Sequence, residues 1–337
     1  MKYIERNGAR LSNMTLGTTQ LGLNYGIAND SGMPGDEEGA ELLRFAVSSG
    51  VTSIDTAQAY GVSEERIGRF LKDNKGPPPY ITTKLRVGFG PTGSTGGKVL
   101  SADEISEIGD RCLAIGESLE KSIFESAENS LKKLNLSKAD CIMLHDPVEM
   151  LAGGSRLAKI MSKLVTAGYA REVGASIYHP AEADAMMQYD VYTATQLPMS
   201  LFDQKMIHTG TLQKLRDRNT IVFVRSVFMQ GVFFLDPGKV EDPLLTEYAV
   251  PHILQLRRLA GGEGVSVAQL AVSFVRDTSG VTSLVLGCET TAQILENIDL
   301  MEGPPVSERT MEAARQAFHD LNYEQIMTVL RRPKAQK

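Results

Sequence analysis

The stretch VTSIDTAQAYGVSEERIG, residues 51–68, passes from a β-branched apolar run through a polar turn into a helix. The run VTSI reads as a strand. Ser63 is placed to cap the helix, and Glu64, Glu65 and Arg66 populate its first turn, where acidic residues suit the helix dipole. A strand that feeds directly into a helix is half of a parallel β-α unit.

Outward from this stretch the same alternation recurs. Strand-like runs lie at 14–16, 51–54, 80–85, 140–144, 172–175, 193–197, 221–224 and 283–286. Amphipathic stretches at 37–49, 64–73, 118–134, 155–167, 180–188 and 211–218 separate them. Ala127, Ser130, Leu131 and Leu134 show the i, i+3, i+4, i+7 stripe of a helix face. Eight such units fit a closed (β/α)8 barrel better than an open sheet, although counting runs leaves a doubly wound sheet open. Residues 3–11 read as a hairpin turning near Asn7-Gly8, a strong two-residue turn signal. Residues 86–117 read as a long Gly/Ser/Pro-rich connection after the third strand, well beyond the usual β-α loop. No composition shift marks a boundary, so residues 1–337 are expected to form one domain, with a hairpin at 1–13 and a helical or tail segment at 300–337.

Composition narrows the class. The 337 residues are 42% hydrophobic and 23% charged, as in a globular protein, and the net charge is −6. With no Lys/Arg block, a nucleic-acid or anionic-membrane partner is disfavoured. Cys112, Cys141 and Cys288 are too few and too scattered for a disulfide framework or a CxxC metal site, which points to a reducing compartment. The charged N-terminal stretch lacks the apolar core of a signal peptide, and no apolar run approaches the ~20 residues of a membrane span. A cytoplasmic protein is expected. The five histidines, His145, His179, His208, His252 and His319, lack ligand-like spacing, so no metal is expected.

Two motif matches fail on context. GFGPTG (88–93) satisfies G-x-G-x-x-G after a strand, but a dinucleotide fingerprint must open a helix at its last glycine. Here Pro91 interrupts it and STGGKVLS continues the loop. Tyr80 and Lys84 match a Tyr-x-x-x-Lys pair, which needs a helix to bring i and i+4 together. After Pro77-Pro78-Pro79 the β-branched run is a strand, which would separate the two by ~13 Å.

A third signal survives. Asp55 ends the second strand-like run, Tyr60 lies on the loop after it, Lys84 lies near the end of the third, and His145 follows the fourth. Adjacent strands thus deliver polar residues to one rim, where barrel active sites are built. Asp55-Thr-Ala-x-x-Tyr60-Gly-x-Ser63-Glu64 with Gly68, Thr-Lys84 and Leu-His145-Asp together resemble the aldo-keto reductases, and the resemblance runs from LGTTQLG (16–22) to LGCETTAQILEN (286–297). It implies a (β/α)8 barrel whose bottom is closed by the N-terminal hairpin. LGTTQLGLNYGIAN is most similar to bacterial members associated with sugar metabolism.

The resemblance also implies chemistry. Carbonyl reduction needs a hydride at carbon and a proton at oxygen. A phenol is ordinarily protonated at neutral pH and can donate, so Tyr60 is the expected donor. Lys84 would stabilise the phenolate, Asp55 would hold Lys84, and His145 would orient the carbonyl as an N–H donor. The nicotinamide cofactor is expected against Thr18, Thr19, Asp55, Ser176 and Gln196, with Ile177 standing where the family usually has Asn. After the seventh strand, Arg225 occupies a place the family often gives to an aromatic. It could stack on the nicotinamide ring or reach an anionic substrate. Ser226, Gln230 and Gly231 follow in the loop expected to clasp the pyrophosphate, and Gly287, Glu289, Gln293, Glu296 and Asn297 lie at the adenosine end. Family habit favours NADP(H), whereas Glu289 without a neighbouring Lys or Arg suits the free ribose of NAD(H); NADP(H) is the expectation.

The expected function is therefore interconversion of an aldehyde, ketone or sugar carbonyl and its alcohol. A non-catalytic nicotinamide-binding barrel, acting as a sensor or regulatory subunit, is the alternative. A barrel hydrolase or isomerase using Asp55 and His145 has no metal or phosphate loop to support it.

Overall fold

The computed structural model describes residues 1–6, 8–26, 32–88 and 97–332. Two short strands, β1 (Tyr3–Arg6) and β2 (Ala9–Ser12), form an antiparallel hairpin in which Arg6 pairs with Ala9. Of the expected Asn7-Gly8 turn, Asn7 lies outside the described residues.

Eight further strands close into a barrel. They are β3 (Met14–Gly17), β4 (Ser53–Asp55), β5 (Tyr80–Leu85), β6 (Ala139–Leu144), β7 (Ala170–Ser176), β8 (Tyr192–Pro198), β9 (Ile221–Arg225) and β10 (Ser283–Gly287). Neighbours pair in parallel, and β10 returns to β3, so no edge is left open. The protein is a (β/α)8 barrel, and the doubly wound sheet is excluded. Every position of β3, β4 and β5 is buried, as expected for strands packed on both faces. Helices α1 (Asp36–Ser48), α2 (Ser63–Asp73), α3 (Ala102–Ala114), α4 (Ser118–Leu134) and α5 (Pro147–Thr166) lead the outer layer.

The lumen is filled, as in other barrels of this type. Leu11 of the hairpin packs with Tyr80, Cys141, Met143, Ala194, Ile221 and Phe223 in a buried cluster. Tyr80 and Ile221 open their strands, so this cluster sits toward the N-terminal mouth and the hairpin plugs that end. Arg6 reaches Glu172 at 3.0 Å, and the Tyr3 hydroxyl donates to the Gly50 carbonyl at 3.1 Å. Because the N-terminal mouth is sealed, the opposite rim is free for function.

Three expectations need correction. The connection at 86–117 is not loop throughout, because its second half is α3. Ser101 caps that helix by accepting from the Glu104 amide at 3.2 Å, while the Glu104 carboxylate accepts from the Ser101 amide at 2.8 Å. This is a capping box spelled by Ser-x-x-Glu in the sequence. Second, the helix read at 155–167 begins at Pro147, with Asp146 as N-cap accepting from the Val148 amide at 3.2 Å and a kink at Gly154. Third, Ser63 does not cap α2; Val62 holds that position and Ser63 is the first helical residue. The GFGPTG motif lies largely outside the described residues.

Candidate active site

Asp55, Tyr60, Lys84 and His145 converge at the C-terminal rim. Asp55 ends β4, Lys84 is the penultimate residue of β5, and His145 follows β6 directly. Lys84 is fully buried, which an ammonium tolerates only when paired. Its Nζ donates to both Asp55 oxygens at 2.7 Å and to the Thr56 carbonyl at 2.9 Å, and it lies 3.5 Å from the Tyr60 hydroxyl. Burial works against the Lys84 charge, but Asp55 and Tyr60 more than offset it and raise its pKa above the ordinary range. The pair is a fixed cation beside a phenol.

Tyr60 sits on a loop held from several sides. Gln58 donates its amide to the Ser126 carbonyl at 2.9 Å and to Ser130 Oγ at 3.0 Å, which ties the loop to α4. On the other side two glycines let backbones touch. A Cβ on Gly22 would lie 1.7 Å from the Tyr60 carbonyl oxygen, and one on Gly61, whose φ is 53°, would lie 2.3 Å from the Gly22 oxygen. Thr18 belongs to the same support. Its hydroxyl donates to the Asp55 carbonyl at 2.7 Å and accepts from Ser63 Oγ at 2.7 Å. Thr18 is thus fully buried and occupied behind the cleft wall.

His145 packs edge-on against Tyr60, with ring centroids 5.7 Å apart. Burial, then the charges of Lys84, Arg86 and Arg225, push its pKa down to about 3. The imidazole is therefore neutral at ordinary pH and carries one N–H. Its Nδ1 is buried with no protein partner among the described residues. Such an orphan suits a ligand atom.

A cleft of about 450 Å³ runs from Asp55 and Tyr60 to the start of the helix Thr291–Glu302. Of the residues anticipated from sequence, Thr19, Asp55, Gln196, Arg225, Ser226, Gln230, Gly231, Gly287, Glu289, Gln293, Glu296 and Asn297 line it. Ser176 is buried at the end of β7, paired with Gln196. Ile177 beside it is fully buried, and Gln196 donates to Asp55 Oδ1 at 2.8 Å. The loop after β9 is strained: Ser226, Met229 and Gln230 have φ of 66°, 48° and 57° although none is glycine. Backbone strain of this kind persists where the surroundings enforce it and marks functional loops. At the far end Glu289 and Gln293 bond each other, the Glu289 amide donating to Gln293 Oε1 at 2.7 Å. Arg225 is the single cation among the described residues that line the cleft.

Several cleft residues were missed in the sequence. Gln20, Tyr25, Phe228 and Phe234 line it, and Tyr178 lies under Arg225, whose guanidinium carbon is 4.4 Å from the Tyr178 ring centroid. Tyr25 stands inside the quoted segment LGLNYG, but only the folded loop brings it to the rim. A larger hollow, about 740 Å³, lies outside the barrel between α2 and α4. It holds Lys133 paired with Glu65 at 3.1 Å but none of Asp55, Tyr60, Lys84 and His145. Among the described residues no group of three His, Cys, Asp or Glu could hold a metal, and no helix is long and apolar enough to cross a membrane. The three cysteines are buried and free.

The family model of the aldo/keto reductases matches residues 13–317. An aldo-keto reductase of Bacillus subtilis is 25% identical over 316 residues, 87% of each chain. L-glyceraldehyde 3-phosphate reductase of Escherichia coli is 23% identical over 95% of this chain and 92% of its own. Among solved structures, an aldo/keto reductase of Klebsiella pneumoniae in complex with NADP and acetate superposes with a TM-score of 0.63 at 18% identity, covering 92% of this chain and 93% of its own.

Proposed function

Since this chain belongs to the aldo/keto reductase family and is an NAD(P)H-dependent oxidoreductase of the carbonyl-reducing kind, we propose that Tyr60 is its general acid and base. The Lys84 ammonium, 3.5 Å from the Tyr60 hydroxyl and locked on Asp55, is the observation that carries this assignment. When bound, the nicotinamide cofactor supplies or accepts the hydride.

The chain's own residues supply the rest. In reduction, Tyr60 gives its hydroxyl proton to the carbonyl oxygen, and Lys84 stabilises the phenolate left behind. Neutral His145 donates its N–H to the same oxygen as negative charge builds there. In oxidation, Tyr60 receives the alcohol proton. Asp55 touches neither substrate atom; it fixes Lys84 and accepts from Gln196. The cleft fits the cofactor: amide groups of Gln20, Gln196, Gln293 and Asn297 and the strained 226–231 backbone offer hydrogen bonds along it.

NADP(H) remains the cofactor expected from family habit. At the adenosine end, Glu289 and Glu296 without a lining Lys or Arg support weaker hold on a 2′-phosphate than a basic pocket would give. The proposal is therefore that both forms bind, with NAD(H) gaining ground relative to relatives that carry a cation here. The substrate class is a small aldehyde, ketone or sugar, which agrees with the glyceraldehyde phosphate named for the Escherichia coli relative. The non-catalytic sensor reading finds no support. Fluorescence titration with NADPH and NADH, followed by a carbonyl and sugar panel with the tighter one, tests the assignment; quenching without turnover of any carbonyl would reject it.

A further inference from the structure

Arg225 ends β9 at the reacting end of the cleft, and it is an unusual cation. Among the described residues no hydrogen bond and no ion pair engages its guanidinium, and its Nη2 is buried without a partner. The side chains that act most on its charge are phenols, Tyr178, Tyr60, Tyr25 and Tyr323, none of them a carboxylate. The nearest functional carboxylate, Asp55, is already held by Lys84 and Gln196. Other arginines withdrawn from water are satisfied: Arg66 donates to Asp36 at 2.8 Å and to the Leu21 carbonyl at 2.7 Å, and Arg276 reaches Asp277 at 2.6 Å. Arg225 is half-buried, and a guanidinium with one nitrogen shut off from water and no counterion is stabilised when a ligand provides one.

Its surroundings hold it in place. The guanidinium carbon lies over the Tyr178 ring, 4.4 Å from its centroid, and Tyr178 is itself anchored, its amide donating to Glu182 Oε2 at 2.6 Å. A ring face attracts the cation but offers no strong acceptor, so the N–H donors of the guanidinium, a fork that matches carboxylate and phosphate, are left for another group. Its charge is felt by His145, and it ends β9 beside the Tyr60 side of the cleft.

We propose that Arg225 is a specificity-determining residue that binds an anionic group, carboxylate or phosphate, carried by the carbonyl substrate. This inference rests on the carbonyl-reductase assignment above. It makes the preferred substrate an acidic aldehyde or ketone, not a neutral one of the same size.

The test compares matched pairs, butanal with succinic semialdehyde and glyceraldehyde with glyceraldehyde 3-phosphate, in wild type, Arg225→Gln and Arg225→Lys. In wild type kcat/KM for one charged member is expected to exceed its neutral partner by at least about tenfold, the size of one charge-assisted hydrogen bond. Arg225→Gln should collapse that ratio, chiefly through KM, and Arg225→Lys should keep part of it. The pair with the larger ratio identifies carboxylate or phosphate as the anion. A ratio unchanged in Arg225→Gln overturns the proposal, as does an equal loss of NADPH or NADH affinity, which would assign Arg225 to the cofactor. If no aldehyde is turned over, the carbonyl assignment falls separately. Calorimetric titration of succinate and glycerol phosphate into the cofactor-bound protein then decides the anion site: binding lost in Arg225→Gln sustains it, and no binding to wild type rejects it.

Discussion

Lys84 Nζ lies 2.7 Å from both carboxylate oxygens of Asp55, and both side chains are almost completely withdrawn from water. Two charges in this position depend on each other. Removing one partner of such a pair strands the other and costs roughly 3–5 kcal/mol. Lys84→Met and Asp55→Asn are each expected to lose stability of that order in urea denaturation. The double variant should lose clearly less than the two single losses added together. Additive losses would mean that the two groups are not energetically coupled.

Tyr60→Phe removes the proton but leaves the ring that packs against His145. A positioned general acid contributes about 10²–10⁴ in rate, so turnover should fall by that factor. The Kd for nicotinamide cofactor is expected to stay within about threefold, because the hydroxyl serves the substrate oxygen. Residual activity near the wild-type level, or a large loss of cofactor binding, would contradict the role given to Tyr60.

His145 gives two pH signatures. Its folded pKa is depressed to about 3 by burial and by Lys84, Arg86 and Arg225. The unfolded chain takes up a proton near pH 6.5 that the fold refuses until about 3. Stability is therefore lost as pH falls through that window. Compared with His145→Gln, wild type should lose up to about 1.4 kcal/mol more per pH unit below 6, the slope of one proton. In kinetics, neutral His145 means that kcat/KM for reduction should show no acid inflection near pH 6.5. Such an inflection, absent in His145→Gln, would show that the protonated imidazole forms where the structure forbids it.

What could be read in advance follows from range. The ends of β4, β5 and β6 are legible because β-branched runs stop at polar residues, and this alone places Asp55, Lys84 and His145 on one rim. The helix Ala102–Ala114 was missed because the Gly-rich run before it hid Ser101 and Glu104, a local signal that was present. Ser63 was misassigned as a cap because its hydroxyl serves Thr18, 45 residues away, a partner that local pattern cannot supply. The contact of Arg225 with Tyr178 joins the ends of β9 and β7 across β8, 47 residues apart in sequence at strand ends that only the folded sheet brings together.

Glu149 offers a prediction of opposite sign. Its Oε1 accepts from the Val87 amide at 2.9 Å, but Oε2 is buried without a partner among the described residues. Burial first, helped by Asp146, pushes its pKa up to about 7 from the ordinary 4.5. The fold therefore favours the protonated acid, and stability falls as pH rises from 4.5 to 7. Glu149→Gln keeps an acceptor for Val87 and cannot ionise. It should be close to neutral at pH 4.5 and more stable than wild type at pH 8 by on the order of 2 kcal/mol. Thermal unfolding at the two pH values measures the difference; equal shifts at both would show that ionisation of Glu149 is not the cause.

Gly22 tests whether Tyr60 must be held to a fraction of an ångström. Its missing side chain is what lets the loop after β3 press on the loop that carries Tyr60. A Cβ there would lie 1.7 Å from the Tyr60 carbonyl oxygen and 2.9 Å from the Ser63 amide. Both are backbone atoms, so Gly22→Ala forces the loop itself to move, and with it the phenol beside Lys84. A displacement near 1 Å at a reacting group costs about 10² in rate. kcat is expected to fall by that order while far-ultraviolet dichroism stays that of a folded barrel. Gly262 is the control, in the helix Val250–Glu263 with nothing within 4 Å of an added Cβ. Gly262→Ala should stabilise the fold by about 0.5–1 kcal/mol through helix propensity and leave kcat alone. If Gly22→Ala kept wild-type kcat, the loop would have absorbed the methyl without moving Tyr60, and the tight backbone contact would be structural only.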